Sequence, residues 1–326
     1  MDFKSEILKY CSSIGLNTVG FMECRKFEEL NEFYKYRKNN NLENEFEESN
    51  IGNRINPFIY MEHGKTIISI AFPYLHKAII NDKVYFSKYT LGNDYHKVLG
   101  IYLEKICDFI KTLGGDASYF VDNNALPERY IAYTSGIGFI GKNNMIITPK
   151  YGSYVFLGEI ITNLEIEADS PIENKCGECN LCKAACPTGC IKEKVANSNI
   201  CLSYITQKKQ VEDFWFEKFK GRLFGCDMCQ DVCPYNKNAK TSSIKEFEPY
   251  DFMEKANIDE LIKIDNAIFR EKYKNTSCGW RGKNILQRNA LINLISMEKN
   301  KNIAIDSIKS PYVKEYYNRL LKLFKL

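Results

Sequence analysis

Apolar and polar residues follow two different periods in the first half of the chain. Apolar side chains recur at helical spacing over residues 2–14 and again over 95–115, where a glycine pair ends the pattern. Short apolar runs at residues 17–22, 65–74 and 117–121 instead predict strands, and the continuous run at 65–74 predicts a buried one. Helices and strands that alternate in this way predict an α/β-type or α+β domain.

The segment after Asp122 completes this first domain. ALPERYIAYTSG predicts a helix with proline in its first turn, while NMIITP and SYVFLGEIITN predict a hairpin around a KYG turn. Two polar linkers, EADSPIENK and NKNAKTSS, then flank a cysteine-rich region, and the chain beyond residue 250 predicts helices only. The predicted fold class is α+β multidomain, with domains over residues 1–168, 169–240 and 241–326.

Composition narrows the class of protein. The chain has 326 residues, 44% of them hydrophobic, and a net charge of +4, which is ordinary for a globular protein. The N-terminal residues MDFKSEILKYCSSIGL lack the apolar core of a signal peptide, and no run reaches the ~18 apolar residues of a membrane span. We therefore expect a cytoplasmic protein without membrane contact, whose 13 cysteines serve metal rather than disulfides.

The cysteines form two runs that are typical of iron–sulfur proteins. CGECNLCKAACPTGC matches C-x2-C-x2-C-x3-C-P, and GCDMCQDVCPYN matches the last part of that pattern. The second run lacks one cysteine, because Leu223 stands at that position, and Cys201 is the natural substitute. In two-cluster ferredoxins the fourth cysteine of a run serves the other cluster.

Crossing the fourth ligands gives two complete sets for [4Fe–4S] clusters in a ferredoxin-like domain. One set is Cys176, Cys179, Cys182 and Cys233, and the other is Cys186, Cys201, Cys226 and Cys229. Two structural zinc sites are the alternative, since they also use C-x2-C pairs. Two runs that each close with Cys-Pro favour clusters.

Five cysteines fall outside these sets. Cys190 is expected to pack as a small hydrophobe, and replacement of a neighbouring ligand is the alternative. The other four predict buried free thiols: Cys11, Cys24, Cys107 and Cys278.

Two further motifs match known signatures incompletely. GIGFIG matches G-x-G-x-x-G, but a predicted helix precedes it and a strand follows, the reverse of a dinucleotide site, so a tight turn is the better interpretation. NDYHKVLG nearly matches the D-x-H-x-x-G motif in which histidine ligates cobalt, yet Gly100 falls one residue late. A helix cap formed by Asn93 or Asp94 is the simpler interpretation.

Residues 50–240 resemble the epoxyqueuosine reductase family. The family pattern of D-x-x-P-x-x-E-R, G-x-G-x-x-G-K-N and G-S-x-x-F-L-G-E occurs in this order as DNNALPER, GIGFIGKN and GSYVFLGE, with the first proline displaced by two places. The cysteine runs follow. The resemblance implies an oxidoreductase that uses cobalamin and two [4Fe–4S] clusters to reduce epoxyqueuosine to queuosine at the wobble position of tRNA. It also implies an external low-potential electron donor.

The resemblance further implies an α/β-type cobalamin-binding catalytic domain. The cobalt would have no protein histidine as its lower ligand. The implied corrinoid contacts are Arg54, Tyr95, Lys142, Ile146, Ser153 and Leu157. Without the resemblance, Lys142 and Ser153 are ordinary loop residues.

Asp122 is expected to be the catalytic acid. It follows a predicted strand, at the end where open α/β sheets place their sites. Removal of an epoxide oxygen as water needs a proton donor, and a carboxyl group beside an apolar corrin and a base would have a raised pKa. The alternative role for Asp122 is to cap the ALPERY helix.

The C-terminal region predicts the contact with tRNA. Between residues 270 and 288, six positive charges stand against one negative charge, Glu271, and Tyr273 and Trp280 lie among them. Such a stretch suits phosphate contact and base stacking, while a solvated helix face is the alternative. The positive residues are Arg270, Lys272, Lys274, Arg281, Lys283 and Arg288.

Two rival functions stay open on the sequence. One is a corrinoid iron–sulfur reductase of a small molecule, similar to reductive dehalogenases, although the chain shows no export signal and carries the basic stretch. The other is a non-catalytic iron–sulfur electron carrier or RNA-binding protein, which would bind no corrinoid.

Overall fold

The computed structural model describes residues 2–77, 83–192, 195–298 and 308–326. Its strands are β1 (Val19–Glu23), β2 (Thr66–Pro73), β3 (Tyr85–Phe86), β4 (Ala117–Phe120), β5 (Phe139–Ile140), β6 (Ile146–Ile147), β7 (Val155–Thr162) and β8 (Arg222–Phe224). Its α-helices are α1 (Phe3–Ser13), α2 (Asn31–Asn39), α3 (Ile51–Ile55), α4 (Tyr95–Thr112), α5 (Glu128–Thr134), α6 (Leu181–Ala185), α7 (Leu202–Gln207), α8 (Met228–Asp231), α9 (Asp251–Glu254), α10 (Ile258–Ile262), α11 (Asn266–Ile268), α12 (Lys283–Glu298) and α13 (Pro311–Phe324). Short 3-10 helices join several of these elements.

A four-stranded sheet in the order β1-β2-β7-β4 forms the centre of the first half. All eight residues of β2 are buried, as its continuous apolar run predicts, because helices cover both faces of the sheet. Ile68 packs in one apolar cluster with α1 and α4, whereas its neighbour Ile67 packs in another with α5. Successive side chains of a strand point to opposite faces, so the two clusters lie on either side of the sheet.

The pairing of the strands corrects two expectations. Every neighbouring pair in the sheet is antiparallel, so the rule for the carboxyl ends of parallel strands does not explain the position of Asp122. The predicted hairpin around KYG is also wrong. β6 pairs with β5 and β7 pairs with β2 and β4, while only a Thr148–Gly152 bridge closes the turn.

The C-terminal helices share a core with the cysteine-rich region. α12 packs on β8 and α13, and β8 pairs in parallel with β3 from the first half of the chain. Phe86, Phe224 and Leu291 therefore belong to one apolar cluster, so the predicted boundary at residue 240 does not separate two hydrophobic cores. Residues 299–307, which were predicted to be helical, lie outside the described residues. Across the described ranges, no helix is both long and apolar enough to cross a membrane.

Candidate redox site

Asp122 lies in a tight loop between β4 and α5. Its φ of +52° is left-handed, a conformation that Asp and Asn adopt more readily than most residues. Glu128 accepts hydrogen bonds from the Asp122 amide at 2.7 Å and from Asn124 Nδ2 at 3.2 Å, and these bonds hold the loop against α5. The N-cap residue of α5 is Pro127, so the alternative role of Asp122 as a helix cap is wrong.

Two side chains at the start of α4 bind the Asp122 carboxylate. Tyr95 Oη donates a hydrogen bond to Asp122 Oδ2, and His96 Nε2 lies 3.3 Å from the same oxygen. Asp94, the N-cap of α4, places its Oδ1 2.9 Å from His96 Nδ1. The cap interpretation of NDYHKVLG is confirmed, and both imidazole nitrogens face carboxylates instead of an open cobalt site.

These contacts reverse the predicted protonation of Asp122. Partial burial favours its neutral form, but the His96 ion pair and the Tyr95 hydrogen bond outweigh burial, so the pKa of Asp122 is lowered. For His96, burial favours the neutral imidazole, but Asp122 and Asp94 outweigh it and raise its pKa to about 9. The prediction of a raised pKa for Asp122 is therefore wrong. At neutral pH the protons stay on its two neighbours.

Two further carboxyl groups lie behind Asp122. Burial and the charge of Asp122 raise the pKa of Glu128 to about 7. Glu159 on β7 is fully buried, and Ser69 Oγ donates to its Oε1 at 3.3 Å. Glu159 Oε2 has no partner among the described residues. Burial, together with the nearby charges of Glu128 and Asp122, raises the pKa of Glu159 well above its ordinary value.

Two large cavities meet at this loop. The arginine cavity, of about 610 Å³, contains the side chains of Arg37, Arg54 and Arg129 in its lining. The cysteine cavity, of about 520 Å³, extends from Asp122 to five cysteines. Asp122 lines both cavities. The cysteine cavity has an apolar wall and amide side chains, a lining that suits a flat apolar macrocycle with amide groups at its edge. These lining residues are Ile146, Val155, Phe156, Leu157, Asn143, Asn144 and Asn197.

The predicted corrinoid contacts divide between these cavities. Tyr95, Ile146 and Leu157 line the cysteine cavity, whereas Arg54 and Lys142 line the arginine cavity. Ser153 lines neither cavity. It is fully buried, and its Oγ accepts hydrogen bonds from Asn236 Nδ2 at 2.9 Å and Gln230 Nε2 at 3.1 Å. Ser153 thus joins the sheet to the cysteine-rich region, and this arrangement gives no support to its direct contact with a corrinoid.

One crossed cysteine set surrounds a small third cavity. Cys176, Cys179, Cys182 and Cys233 line about 150 Å³ of space beside Ile147 and Leu181. Lys142 Nζ donates to the carbonyls of Gly177 at 2.7 Å and Cys179 at 3.0 Å, so it ties the β5–β6 turn to this cysteine loop.

The other crossed set lines the cysteine cavity. Cys186, Cys201, Cys226 and Cys229 lie there together with Cys190. In the residues that the structure describes, no three His, Cys, Asp or Glu side chains are placed to share one metal ion. Each crossed set lines the wall of a cavity, an arrangement that suits a multi-atom cluster. The four remaining cysteines are buried and free, as predicted.

Two residues of the basic stretch are buried and cannot contact RNA. Arg288 is fully buried and donates to the carbonyls of Thr206 at 3.0 Å and Lys208 at 2.6 Å, so it braces the core and cannot contact phosphate. Tyr273 is 1% exposed and cannot stack on a base. The expectation that these two residues contact RNA is therefore wrong.

The other basic residues are more accessible. Arg270 and Lys274 are exposed, Lys272 pairs with Glu260 at 2.8 Å, and Lys283 is partly buried. The Arg281 guanidinium lies 4.7 Å from the centroid of Trp280, which is 55% exposed. Trp280 packs edge-on against Phe46 at a centroid distance of 5.2 Å, and Phe46 lines both large cavities. An aromatic pair thus stands at the edge of the site.

His96, Glu128 and Glu159 also belong to the site, although none of them was predicted from the sequence. Signals for all three were present: His96 lies in the near match NDYHKVLG, Glu128 is the glutamate of DNNALPER, and Glu159 ends GSYVFLGE. Their common position was hidden because α4, α5 and β7 meet only in the folded chain.

The fold and the site together define a redox enzyme with two iron–sulfur clusters and a large cavity lined by cysteine, polar and apolar side chains. The 4Fe-4S double cluster binding domain model matches residues 175–236, and the model described as Epoxyqueuosine reductase QueG, DUF1730 matches residues 54–123. The chain is 37% identical over 302 residues to the epoxyqueuosine reductase of Bacillus subtilis (strain 168), a match that covers 89% of this chain and 78% of the relative.

Solved structures give the same result. The epoxyqueuosine reductase of Streptococcus thermophilus superposes with a TM-score of 0.91 at 34% identity, over 98% of this chain and 90% of that one. An epoxyqueuosine reductase with an epoxyqueuosine-modified tRNA-Tyr stem loop gives a TM-score of 0.92 at the same identity and coverage. The Bacillus subtilis enzyme with an aspartate catalytic loop swung out of the active site gives 0.88 at 33% identity, again over 98% and 90%.

This chain belongs to the epoxyqueuosine reductase family. The resemblance found in the sequence is confirmed, and so are cobalamin and two [4Fe–4S] clusters as cofactors.

Proposed function

We propose that Asp122 delivers protons to the epoxide oxygen in the reaction of this family member, the reduction of epoxyqueuosine to queuosine in tRNA. The observation that carries the proposal is the carboxylate of Asp122 at the junction of both large cavities, bound by Tyr95 and His96. The reaction consumes two electrons and two protons, breaks both C–O bonds of the epoxide, and leaves a C=C bond and water. Bound cobalamin supplies the low-potential electron chemistry, and the protein must supply the protons.

The proton path starts at His96. Its imidazolium Nε2 faces Asp122 Oδ2 at 3.3 Å, and its pKa of about 9 keeps it charged at neutral pH. Asp122 takes this proton and passes it to the oxygen that leaves the epoxide, so Asp122 acts as a relay rather than as a resting acid. The second proton follows the same path after the imidazole has taken up a proton from water. Glu128 keeps the relay in place through the backbone amide of Asp122.

The cofactor assignments follow from the cavities. We assign Ile146, Leu157 and Tyr95 to the corrinoid in the cysteine cavity, with Arg54 and Lys142 toward its edge in the arginine cavity. The two crossed cysteine sets hold the two clusters. Leu181, beside the first set, is 51% exposed, so the cluster of that set receives electrons from a low-potential donor. The cluster in the cysteine cavity passes them on.

We assign tRNA to the side of the site that carries Phe46 and Trp280. The exposed Arg270 and Lys274 lie in the same basic stretch as Trp280 and suit phosphate contact. Because the substrate is an epoxyqueuosine-modified anticodon loop, as in the solved family complex, the protein acts in the cytoplasm.

Asp122→Asn tests the catalytic proposal. Asn adopts the left-handed backbone as readily as Asp, so the loop should keep its shape, but the amide cannot relay a proton. We expect both clusters, cobalamin and tRNA to bind normally, and turnover to fall at least about 100-fold. Asp116→Asn, an exposed carboxylate at the start of β4, is the control and should be fully active. Near-normal turnover of Asp122→Asn would remove the catalytic role.

Trp280→Ala and Lys274→Ala test the tRNA surface. Loss of one stacked base costs ~1–3 kcal/mol, and loss of one phosphate contact lowers the salt dependence of binding. Binding of a modified stem loop, measured over a range of salt concentrations, should weaken in both variants. Arg288→Ala should instead lower the melting temperature, because this residue braces the core. Unchanged affinity in both surface variants would move the tRNA site elsewhere.

A further inference from the structure

A fifth thiol lies among the four cysteines of the cysteine cavity. Cys190 follows Cys186 by four residues and is 7% exposed. Its Sγ lies 3.5 Å from Cys186 Sγ, and its thiol also interacts with Cys201. Packing as a small hydrophobe does not by itself require the Cys190 sulfur to contact the sulfur of Cys186, a proposed cluster ligand.

The distance between the two sulfurs limits what Cys190 can do. Each iron of a [4Fe–4S] cluster takes one cysteine, and thiolates on different irons are held apart by the iron and sulfide atoms between them. Two sulfurs in direct contact therefore compete for a single iron. Either Cys186 or Cys190 can hold that iron, while the other remains a neighbouring thiol.

The turn between the two cysteines brings them together and has room to move. The amide of Gly189 donates to the Cys186 carbonyl at 3.2 Å, and Gly189 has a left-handed φ of +62°. Among the described residues, none has an atom within 4 Å of the position that a Cβ on Gly189 would occupy. The turn is therefore not packed against the described chain at this point.

We propose that Cys190 is a reserve ligand of the cluster in the cysteine cavity, which takes the iron of Cys186 when Cys186 is not available. The inference rests on the proposed assignment of Cys186 to that cluster. The exchange is a ligand substitution in which the iron–sulfur bond to Cys186 breaks and the bond to Cys190 forms. The proton of Cys190 passes to the released Cys186 sulfur, or to water where that sulfur is absent, and no electron is transferred.

Four variants of the full chain, reconstituted anaerobically, test this proposal: Cys186→Ala, Cys190→Ala, the double variant and Cys226→Ala. The readouts are iron and sulfide per chain and the electron paramagnetic resonance of the reduced protein. We expect about eight irons in Cys186→Ala and in Cys190→Ala, since each variant keeps one of the two thiols that can bind the shared iron. The double variant should fall to about four irons. Cys226→Ala should also fall to about four.

The outcomes separate this proposal from the proposed function. About four irons in Cys186→Ala alone, or in Cys190→Ala alone, would overturn the reserve role and leave the cluster assignment intact. Eight irons in Cys226→Ala or in the double variant would overturn the cluster assignment itself, and with it the reserve role. The four irons of the other cluster in the double variant, together with an unchanged melting temperature, show that the chain has folded.

Discussion

The two cysteine sets have the same ligands and different surroundings. Cys176, Cys179, Cys182 and Cys233 line a cavity of about 150 Å³, next to the exposed side chains of Leu181 and Tyr235. The other set lines a cavity of about 520 Å³ that also contains Tyr95 and Asp122. In the proposed assignment, one cluster therefore lies near solvent, and the other lies beside the proposed catalytic residue Asp122.

The comparison shows how a single motif can serve both ends of an electron path. Cys182 lies on α6 and Cys186 is its C-cap residue. Four residues of helix advance only about 6 Å, so ligands of the two clusters are adjacent in the chain and in space. In the proposed assignment, the crossing of Cys186 and Cys233 between the runs keeps the two clusters close, and the different surroundings of the two sets give them different roles.

Removal of each cluster in turn should have the largest effect. Cys226→Ser and Cys176→Ser should each reduce iron from about eight to about four per chain. With a strong chemical reductant, Cys226→Ser should show no turnover, because its remaining cluster does not face the large cavity. Cys176→Ser should retain measurable turnover, because the reductant bypasses the solvent-side cluster. Equal activities in the two variants would contradict the difference in role.

A smaller effect is expected at His96, which acts through its ion pair with Asp122. His96→Asn should slow turnover about tenfold, or ~1.4 kcal/mol, with both clusters intact, because Asp122 loses the charged partner that lies 3.3 Å from its Oδ2. In the unmodified enzyme the rate should fall as pH rises through about 9, where the imidazolium loses its proton. The variant should lack this decrease. His63→Asn, an exposed histidine outside both large cavities, is the control.

The free energy of unfolding should also depend on the protonation of His96. The folded pKa of His96 is raised from 6.5 to about 9, so its stabilising contribution is complete below pH 6.5 and is lost as pH rises through about 9. Denaturant unfolding across this range should show the decrease in the unmodified protein and a weaker one in His96→Asn. Parallel pH curves for the two proteins would show that the ion pair with Asp122 does not form.

The smallest effect should be confined to the solvent-side cluster. Lys142→Ala removes hydrogen bonds to the carbonyls of Gly177 and Cys179, so a chelator should extract iron from that cluster about twofold faster, as expected for exposed bonds worth ~0.5 kcal/mol. Iron release from the other cluster should not change. Lys150→Ala, whose ammonium lies over the Tyr151 ring, is the matched control. Faster loss from both clusters would indicate a general loosening of the fold.

Local patterns predicted the regular elements well and their pairing poorly. The helices α1 and α4 and the buried strand β2 follow from periodicity, because apolar spacing reports which face of an element is covered. The hairpin around KYG was wrong because β6 pairs with the preceding β5, while β7 pairs with β2 and β4, which are distant in sequence. Arg288 was misplaced for a related reason. A positive charge predicts exposure unless backbone carbonyls from another segment, such as those of Thr206 and Lys208, surround it.

The sequence by itself determined the family and the two cysteine runs, since the spacing of cluster cysteines along the chain is a recognisable pattern. The crossed sets stay a prediction. The sequence also pointed to Asp122 through a motif, but it gave this carboxyl the wrong pKa. The tertiary structure decided that value, because His96 and Tyr95 reach Asp122 from a different element. It likewise decided that Cys190 touches Cys186. Protonation and ligand competition depend on distances between side chains, and a linear pattern does not contain those distances.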